Sequence, residues 1–335
     1  MPLFSLIIPV YNTQSYIKEC IESVLSQTFT DYECILINDG STDNSAVICN
    51  EYKLMDNRIV MINQNNMGLS MARNNGINVS RGEYIIFLDS DDIIIDNNAL
   101  SNLSDLIKTY NIDKPNIIFH SKLFTFADNN IYSNIDTMND NIISLNIKIF
   151  LKIIKNQKSK VLLSSWTFSI NREFLLKNNL FFKENIFHED DHFICRLLCS
   201  TDFLIINHRP FYGYRKFRPG SIMNIVNSKR LLDSIIIIKD LLELSKNEYL
   251  VYKKKIYSYF YKNLWLGVFK SLIKFEDNNS IGLIKHGLRE TSICLLHFTN
   301  LKHVFLYIIV YTFGISKSVK IRIQYQKIMR KLFYR

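Results

Sequence analysis

Residues 82–92 read Gly-Glu-Tyr-Ile-Ile-Phe-Leu-Asp-Ser-Asp-Asp. The apolar run in this stretch predicts a buried strand, and Asp89, Asp91 and Asp92 follow it directly. Carboxylates this close together repel one another and need a counter-charge. A hard divalent cation such as Mg²⁺ or Mn²⁺ supplies one, usually with phosphate oxygens completing its coordination shell. The alternative is an acidic loop that caps the next helix.

The eighty residues before this stretch alternate strand and helix signals. Buried strands are predicted by apolar runs at residues 4–10, 32–37 and 59–62, and helices by the patterns at residues 16–27, 45–53 and 69–79. This rhythm indicates an α/β fold with a mostly parallel twisted sheet and helices on both faces. Ligands of such sheets bind beyond the carboxyl ends of the strands, which gathers Tyr11, Asp39 and Asp89 at one rim.

Composition excludes several classes of protein. The chain has 335 residues, 47% of them hydrophobic, with 10 Gly and 5 Pro, so it is neither disordered nor collagen-like. Six scattered cysteines are too few for a disulfide framework and indicate reduced thiols in a cytosolic protein. The first residues carry no signal-peptide pattern, which agrees with a cytoplasmic location.

The positive charge is concentrated near the end of the chain. The formal net charge is +10, and eight Lys and Arg residues follow Glu290, which is the last acidic residue. A uniformly basic nucleic-acid binder would not show this distribution, so we expect no nucleic-acid partner and instead docking on an anionic membrane surface. Residues 304–315 are apolar but too short to span a bilayer. They are expected to lie in the interface of an anionic leaflet, or else to form a buried core helix with a solvated basic end.

Two residues near the rim have open alternatives. Arg73, on the helix before the acidic strand, either neutralises a diphosphate or pairs with a carboxylate. Asp39 either accepts an N–H from a nucleobase or serves a helix cap.

Four blocks of sequence together resemble the family 2 inverting glycosyltransferases. They are Pro-Val-Tyr-Asn at residues 9–12, Asn-Asp-Gly-Ser-Thr-Asp at 38–43, Asn-Met-Gly-Leu-Ser-Met-Ala-Arg-Asn at 66–74, and residues 82–92. The resemblance is close over about residues 3–100 and looser to about residue 225. It implies the A-type glycosyltransferase fold and a nucleotide-diphosphate sugar donor, usually a UDP-sugar. Asn38 departs from a second Asp that is common in the family, and Val10 from a common Thr.

The resemblance also implies site residues. Pro9, Tyr11 and Asp39 would cradle the base, and Arg73 would lie near the base and the phosphates. Asp89 would contact the ribose, and Asp91 would hold the metal, Mn²⁺ or Mg²⁺, with Asp89 as a second candidate ligand.

A second acidic segment, His188-Glu189-Asp190-Asp191-His192, matches the part of the family that carries the catalytic base. By the resemblance Asp190 is that base, because an acceptor hydroxyl that attacks C1 opposite the leaving UDP must lose its proton there. His188 and Glu189 are acceptor-side candidates. The same segment also fits His-Glu-x-x-His, so a zinc hydrolase using His188, Glu189 and His192 is an alternative.

Residues 212–222 resemble the family's Tyr-x-Tyr-Arg…Ser-Ile loop. Arg215 and Arg218 there are predicted to bind phosphate oxygens, since a guanidinium group does so in a bidentate fork. The alternative is a basic surface loop. Trp166 resembles the acceptor-side region, where its ring either stacks on a sugar or packs in the core.

The resemblance implies a metal-dependent inverting glycosyltransferase that forms a β-linkage. We expect a catalytic domain at residues 1–225, with a nucleotide-sugar-binding half at 1–100 and an acceptor-binding half at 101–225, and a helical region at 226–335. By analogy we expect glucose or galactose as the donor sugar and a polyprenyl-diphosphate-linked GlcNAc or GalNAc as the acceptor. The setting would be bacterial O-antigen or capsule synthesis at the inner face of the cell membrane. A catalytically inactive scaffold that binds sugar nucleotides is the other alternative.

Overall fold

The computed structural model describes residues 1–110, 114–127, 130–136, 144–156, 163–216, 227–272 and 278–292, together with Val310 and Ile315. The chain forms two compact units. One comprises Met1–Asn185 with Glu189–Pro219, and the other Ile186–His188 with Gly220–Arg335.

Twelve strands lie within the described residues. They are β1 (Phe4–Val10), β2 (Tyr32–Asp39), β3 (Ile59–Gln64), β4 (Tyr84–Phe87), β5 (Ile93–Ile94), β6 (Ile117–His120), β7 (Lys122–Ala127), β8 (Asn130–Asp136), β9 (Ser144–Asn146), β10 (Phe168–Asn171), β11 (Phe203–Asn207) and β12 (Tyr212–Arg215). Eight of them form a central sheet in the order β3-β2-β1-β4-β10-β6-β11-β9, and the other four form a smaller sheet in the order β5-β12-β7-β8.

The described helices number ten. They are α1 (Ile17–Leu25), α2 (Ser45–Met55), α3 (Leu69–Val79), α4 (Ala99–Lys108), α5 (Ile147–Asn156), α6 (Arg172–Lys177), α7 (Glu189–Cys199), α8 (Ser228–Asn247), α9 (Val251–Ser271) and α10 (Asn278–Glu290), with a short 3₁₀ turn at Ser165–Thr167. Among them, none combines the length and apolar character that a membrane span requires.

The first four strands of the central sheet are parallel neighbours, as the sequence predicts. β1 pairs with β2 and β4, and β2 pairs with β3, all in parallel. Every residue of β1 and β2 is buried, since helices cover both faces of a parallel sheet, and most of these residues are apolar. Helix α3 packs closely on β1 at Gly76, where a β-carbon would lie 2.3 Å from Cγ2 of Ile7. The α/β fold class predicted from the sequence is confirmed.

The strands that follow β4 depart from the simple alternation. β10 runs antiparallel between β4 and β6, so a strand from residues 168–171 joins the two halves of the central sheet. β11 then pairs in parallel with β6. In the smaller sheet β12 lies between β5 and β7. This arrangement places β12 beside the acidic loop at residues 88–92, which follows β4, although Tyr212 of β12 lies 120 positions after Asp92.

The second unit contains α8, α9 and α10. The indole Nε1 of Trp265 on α9 donates to the carbonyl oxygen of Leu288 on α10 at 2.9 Å. Gly287 allows α10 to approach α8, because a β-carbon at this position would lie 2.7 Å from Cγ2 of Ile235. Val310 and Ile315, which belong to the apolar stretch at residues 304–315, are both buried. For these two residues the structure agrees with the core-helix alternative.

The five described cysteines, at positions 20, 34, 49, 195 and 199, are buried and form no disulfide. This agrees with the reduced thiols predicted from the sequence.

Candidate active site

The carboxyl ends of β1, β2 and β4 meet at one rim of the central sheet. The register places Val10 opposite Asn38 and Ile7 opposite Phe87, so the residues that follow these strands emerge side by side. The rim predicted from the sequence therefore exists. Pro9 is buried within β1, whereas Tyr11 beyond it is 46% exposed and presents an aromatic ring at the rim.

Asp39 organises the turn that precedes α3. Its carboxylate accepts hydrogen bonds from Nε2 of Gln64 at 2.7 Å and from the backbone N–H groups of Met67 and Gly68 at 2.8 and 2.9 Å. Gly68 has a φ of +84°, a conformation that glycine adopts without strain. Asp39 therefore stabilises the turn before α3 and does not cap the helix that follows residues 38–43, as its helix-cap alternative expected. Its contact with a nucleobase stays a prediction.

Arg73 links the acidic loop to the first turn of α7. Its side chain is 1% exposed, and Nη2 donates to Asp89 at 2.9 Å. Nη1 donates to Glu189 at 3.0 Å and to Asp190 at 3.2 Å. Of the two alternatives for Arg73, the structure shows the pairing with carboxylates. One guanidinium group thus brings together three candidate residues from segments that lie 100 residues apart.

Burial and mutual repulsion perturb the titration of these groups. Burial, together with the charge of Asp190, raises the pKa of Glu189 to about 7, although Arg73 opposes the shift. Burial likewise raises the pKa of Asp190, and Arg73 again acts in the opposite direction. Burial alone would lower the pKa of Arg73, but the three carboxylates raise it on balance. Arg73 stays charged, and it favours the ionised forms of the carboxylates around it.

The three aspartates of the acidic loop differ in their surroundings. The side chain of Asp89 is 26% exposed and contacts Arg73, and Asp91 is partly exposed. Asp92 is 1% exposed and accepts hydrogen bonds from the hydroxyl of Tyr212 and from the backbone N–H of Arg215, both at 2.7 Å. Burial and the charges of Asp91 and Asp89 raise the pKa of Asp92. Asp89 and Asp91 therefore keep the exposure that a cation ligand needs, and Asp92 does not.

Oxygen atoms of Asp89 and Asp91 are the ligand type that Mg²⁺ and Mn²⁺ prefer. Within the described residues no group of three His, Cys, Asp or Glu side chains could hold a metal ion. Two carboxylates at an exposed rim would fit a cation whose remaining ligands were supplied by water and by a bound substrate.

The structure does not fit the zinc-hydrolase alternative. The motif His-Glu-x-x-His requires both histidines on one face of a helix. Helix α7 begins at Glu189, and His188 before it has a φ of +64°, outside the helical region. Nε2 of His188 accepts a hydrogen bond from Nε of Arg230 at 3.0 Å. The histidine pair of a zinc motif is therefore not formed on α7, and the described residues offer no cluster of metal ligands there.

Arg215 lies against the acidic loop. Its Nε donates to the carbonyl oxygen of Asp91 at 2.8 Å, and its Nη2 contacts Glu19 at 2.6 Å. The predicted phosphate contact of Arg215 stays a prediction, and Arg218 lies outside the described residues.

Trp166 is 4% exposed, and its ring stacks on Tyr212 at 4.2 Å between centroids and on Tyr214 at 5.9 Å. This placement matches the core-packing alternative for Trp166.

No motif in the sequence assigns an individual role to Glu19, Asp92 or Tyr212. Glu19 lies on α1 and contacts a residue 196 positions away, which no local pattern indicates. Tyr212 belongs to the quoted Tyr-x-Tyr-Arg segment, and Asp92 to the acidic stretch. Both residues lie in motifs that the sequence shows, but no sequence pattern indicates the buried hydrogen bond between them.

The mixed sheet, with an acidic loop at the end of its parallel half and a carboxylate-bearing helix joined to that loop by Arg73, is the A-type glycosyltransferase fold. The solved structure of S. aureus TarS 1-349 in complex with UDP-GlcNAc is similar to this chain with a TM-score of 0.71 and 19% identity, over 98% of this chain and 92% of that one. At this identity the likeness establishes the fold.

The chain belongs to glycosyl transferase family 2, whose family model matches residues 5–180. Two curated relatives come from Streptococcus pneumoniae serotype 4. Glycosyltransferase GlyA is 33% identical over 67% of this chain, and glycosyltransferase GlyG is 32% identical over 66% of it. The match spans 32% of GlyA and 73% of GlyG, so the matched part of this chain spans about a third of the length of GlyA.

Proposed function

We propose that this chain is a metal-dependent inverting glycosyltransferase that transfers a sugar from a UDP-sugar to a saccharide acceptor. The observation that carries the proposal is the joint contact of Arg73 with Asp89 and Asp190. Asp89, the donor-side carboxylate of this proposal, contacts Nη2 of that guanidinium group, and Asp190, the base of this proposal, contacts Nη1. Family membership and a fold shared with a UDP-GlcNAc complex support the same reaction class.

Asp190 acts as the general base in this proposal. It lies in the first turn of α7, where the helix N-terminus favours a negative charge. Contact with Arg73 helps to keep its carboxylate ionised, and an ionised carboxylate can take the proton of an acceptor hydroxyl. Attack on C1 from the side opposite the leaving diphosphate inverts the anomeric centre, so an α-linked donor gives a β-linked product.

On the donor side, the exposed ring of Tyr11 and the ordered turn at Asp39 would receive the base. Asp89 and Asp91 would hold the cation, Mn²⁺ or Mg²⁺. When bound, this cation supplies the positive charge that stabilises the departing diphosphate.

A UDP-release assay tests this proposal. Purified protein with Mn²⁺ is supplied with UDP-glucose, UDP-galactose or UDP-GlcNAc, with and without a lipid-diphosphate-linked GlcNAc acceptor. We expect release from one donor that the acceptor stimulates. Glucose and galactose are the donors that we propose first, and surface-polysaccharide assembly is the setting. Absence of both UDP binding and UDP release would refute the proposal.

Asp190→Asn separates an enzyme from a binding scaffold. We expect it to abolish turnover while UDP binding is retained, because the base contacts the acceptor and not the nucleotide. Asp191→Asn is the matched control, since it changes the neighbouring carboxylate of the same helix turn. Unchanged function of Asp190→Asn in cells would favour the scaffold.

We also propose that the protein acts at the inner face of the cell membrane, held there by the basic residues that follow Glu290. The support is the group of eight cationic side chains after Glu290. Replacing Lys327, Arg330 and Lys331 with serine tests this without removing the buried Val310 and Ile315. We expect weaker co-sedimentation with anionic vesicles, and unchanged co-sedimentation would contradict the idea.

A further inference from the structure

Strand β12 contacts the main chain of both candidate metal ligands. The hydroxyl of Tyr212 accepts a hydrogen bond from the backbone N–H of Asp89 at 3.2 Å. Nε of Arg215, three residues further along the strand, donates to the backbone carbonyl of Asp91 at 2.8 Å. Two side chains of one strand thus hold the acidic loop on either side of Ser90.

Asp92 joins these two contacts into one network. Its Oδ2 accepts from the hydroxyl of Tyr212 and its Oδ1 from the backbone N–H of Arg215, each at 2.7 Å. Both oxygens are therefore used inside the protein, and the side chain is 1% exposed. A buried carboxylate with satisfied hydrogen bonds fixes its surroundings, because breaking any one of them leaves a desolvated polar group.

The two side chains of β12 are themselves held from other elements. The ring of Tyr212 stacks on Trp166 at a 17° interplanar angle. The guanidinium group of Arg215 contacts Glu19 at 2.6 Å and lies 4.4 Å from the centroid of the Phe126 ring. Packing on several sides restricts the rotamers of both residues, which a positioning role requires.

We propose that Asp92, Tyr212 and Arg215 are positioning residues that preset the main chain of the acidic loop, so that Asp89 and Asp91 meet the cation and the diphosphate in one geometry. This inference rests on the proposed function, and it gives Arg215 a role distinct from the predicted phosphate contact. The loop is ordered when the protein folds, so less ordering free energy is lost when the cation binds. Loss of a residue that holds a metal ligand in place typically lowers metal affinity about 10–100-fold.

Tyr212→Phe is the direct test, because it removes the hydroxyl and keeps the ring that stacks on Trp166. UDP binding to the full chain is measured by calorimetry, in EDTA and across a Mn²⁺ titration. We expect the Mn²⁺ concentration for half-maximal UDP binding to rise about 10–100-fold. UDP affinity without metal should change less than about twofold, since the base-binding part of the rim is untouched.

The matched control is Tyr32→Phe, which also removes a buried tyrosine hydroxyl bond. Tyr32 is 3% exposed and donates to the carbonyl oxygen of Val24 at 2.9 Å. We expect Tyr32→Phe to lower the Tm without moving the Mn²⁺ midpoint. Equal midpoints for the two variants would overturn the inference, as would an equal loss of UDP affinity with and without metal in Tyr212→Phe.

Glu19→Gln keeps the inference testable if Tyr212→Phe does not fold. Glu19 is 45% exposed and contacts Arg215 from α1, so its replacement loosens one end of the network at a solvated position. We expect the Mn²⁺ midpoint to rise about 3–10-fold. This is less than for Tyr212→Phe, because Glu19 acts on the acidic loop only through Arg215. An unchanged Mn²⁺ midpoint would contradict the proposed positioning role of Arg215. If wild-type protein shows no Mn²⁺-dependent UDP binding, the proposed function and this inference both fail; normal wild-type binding with unaffected variants refutes the inference alone.

Discussion

Arg73→Met removes the guanidinium group that contacts Asp89, Glu189 and Asp190, and it keeps a long apolar side chain in the space. The three carboxylates then lose their shared counter-charge within a site where Glu189 and Asp190 are 14% and 22% exposed. We expect the pKa of Asp190 and of Glu189 to rise, because burial already raises both and the opposing effect of Arg73 is lost.

The size of this rise follows from the contact distances. At an effective dielectric constant of about 20, two unit charges about 4 Å apart interact by about 4 kcal/mol. Partial solvent exposure weakens the interaction, and we take roughly half, about 2 kcal/mol, for each carboxylate. One pKa unit corresponds to about 1.36 kcal/mol, so each pKa should rise by about 1.5 units. Because the two carboxyl groups interact, this rise applies to the two apparent pKa values of the pair and is not assigned to one residue.

The assay is the pH dependence of kcat/KM for UDP release. A general base must be ionised, so the acid limb should move to higher pH by about 1.5 units and activity should recover at alkaline pH. Stability should depend on pH as well. Because the variant raises the folded-state pKa of both carboxyl groups further, it should lose stability relative to wild type as the pH rises through their wild-type pKa values, of which that of Glu189 is about 7.

Arg58→Met is the matched control. Arg58 also pairs with a carboxylate, that of Asp56 at 2.7 Å, but it precedes β3 at the opposite end of the strands from the site. Its replacement should leave the acid limb where it is. If the acid limb of Arg73→Met does not move, Arg73 does not control the ionisation of the proposed base Asp190.

Three further predictions concern stability and the metal. Glu33→Gln should lower stability by about 2 kcal/mol at pH 7. Because hydrogen bonds outweigh burial and lower the pKa of Glu33 in the folded protein, this difference should shrink as the pH falls through that pKa, as urea unfolding at pH 7 and pH 3 would show. Gly76→Ala should destabilise by about 1–3 kcal/mol through its clash with Ile7. Gly267→Ala on α9 should stabilise by about 0.5–1 kcal/mol, because among the described residues its added β-carbon meets no atom of another element within 4 Å. Thermal unfolding separates the two alanine variants. Asp91→Asn should reduce Mn²⁺-dependent UDP release more than about a hundredfold, and full activity would exclude Asp91 as a ligand.

The parallel half of the sheet could be predicted from the sequence because its signals are local. The strand at residues 4–10 and the helix at residues 69–79 have the predicted bounds. The second strand continues two residues beyond its apolar run, since Asn38 and Asp39 still pair with β3. Apolar periodicity determines such elements within a short window.

The second half of the sheet and the network at the site depend on long-range contacts. Nothing near residues 168–171 indicates that this strand enters between β4 and β6. Arg73 had two open alternatives because its partners Glu189 and Asp190 lie 116 and 117 residues away. The acidic stretch predicts metal binding by Asp89 and Asp91, but it does not indicate the burial of Asp92, which depends on a tyrosine 120 residues further along the chain.

Strand β10 is synthesised well after β4, with which it pairs, and this delay affects how the chain folds during translation. After residue 87 leaves the ribosome, β4 can pair with β1, but its other edge stays open until residues 168–171 are available. At a synthesis rate of about 5–20 residues per second, that interval of roughly 80 residues lasts about 4–16 s. An open, apolar strand edge is a template for pairing with other chains. Nascent chains should therefore be most prone to aggregation, and most dependent on chaperones, during this interval of synthesis.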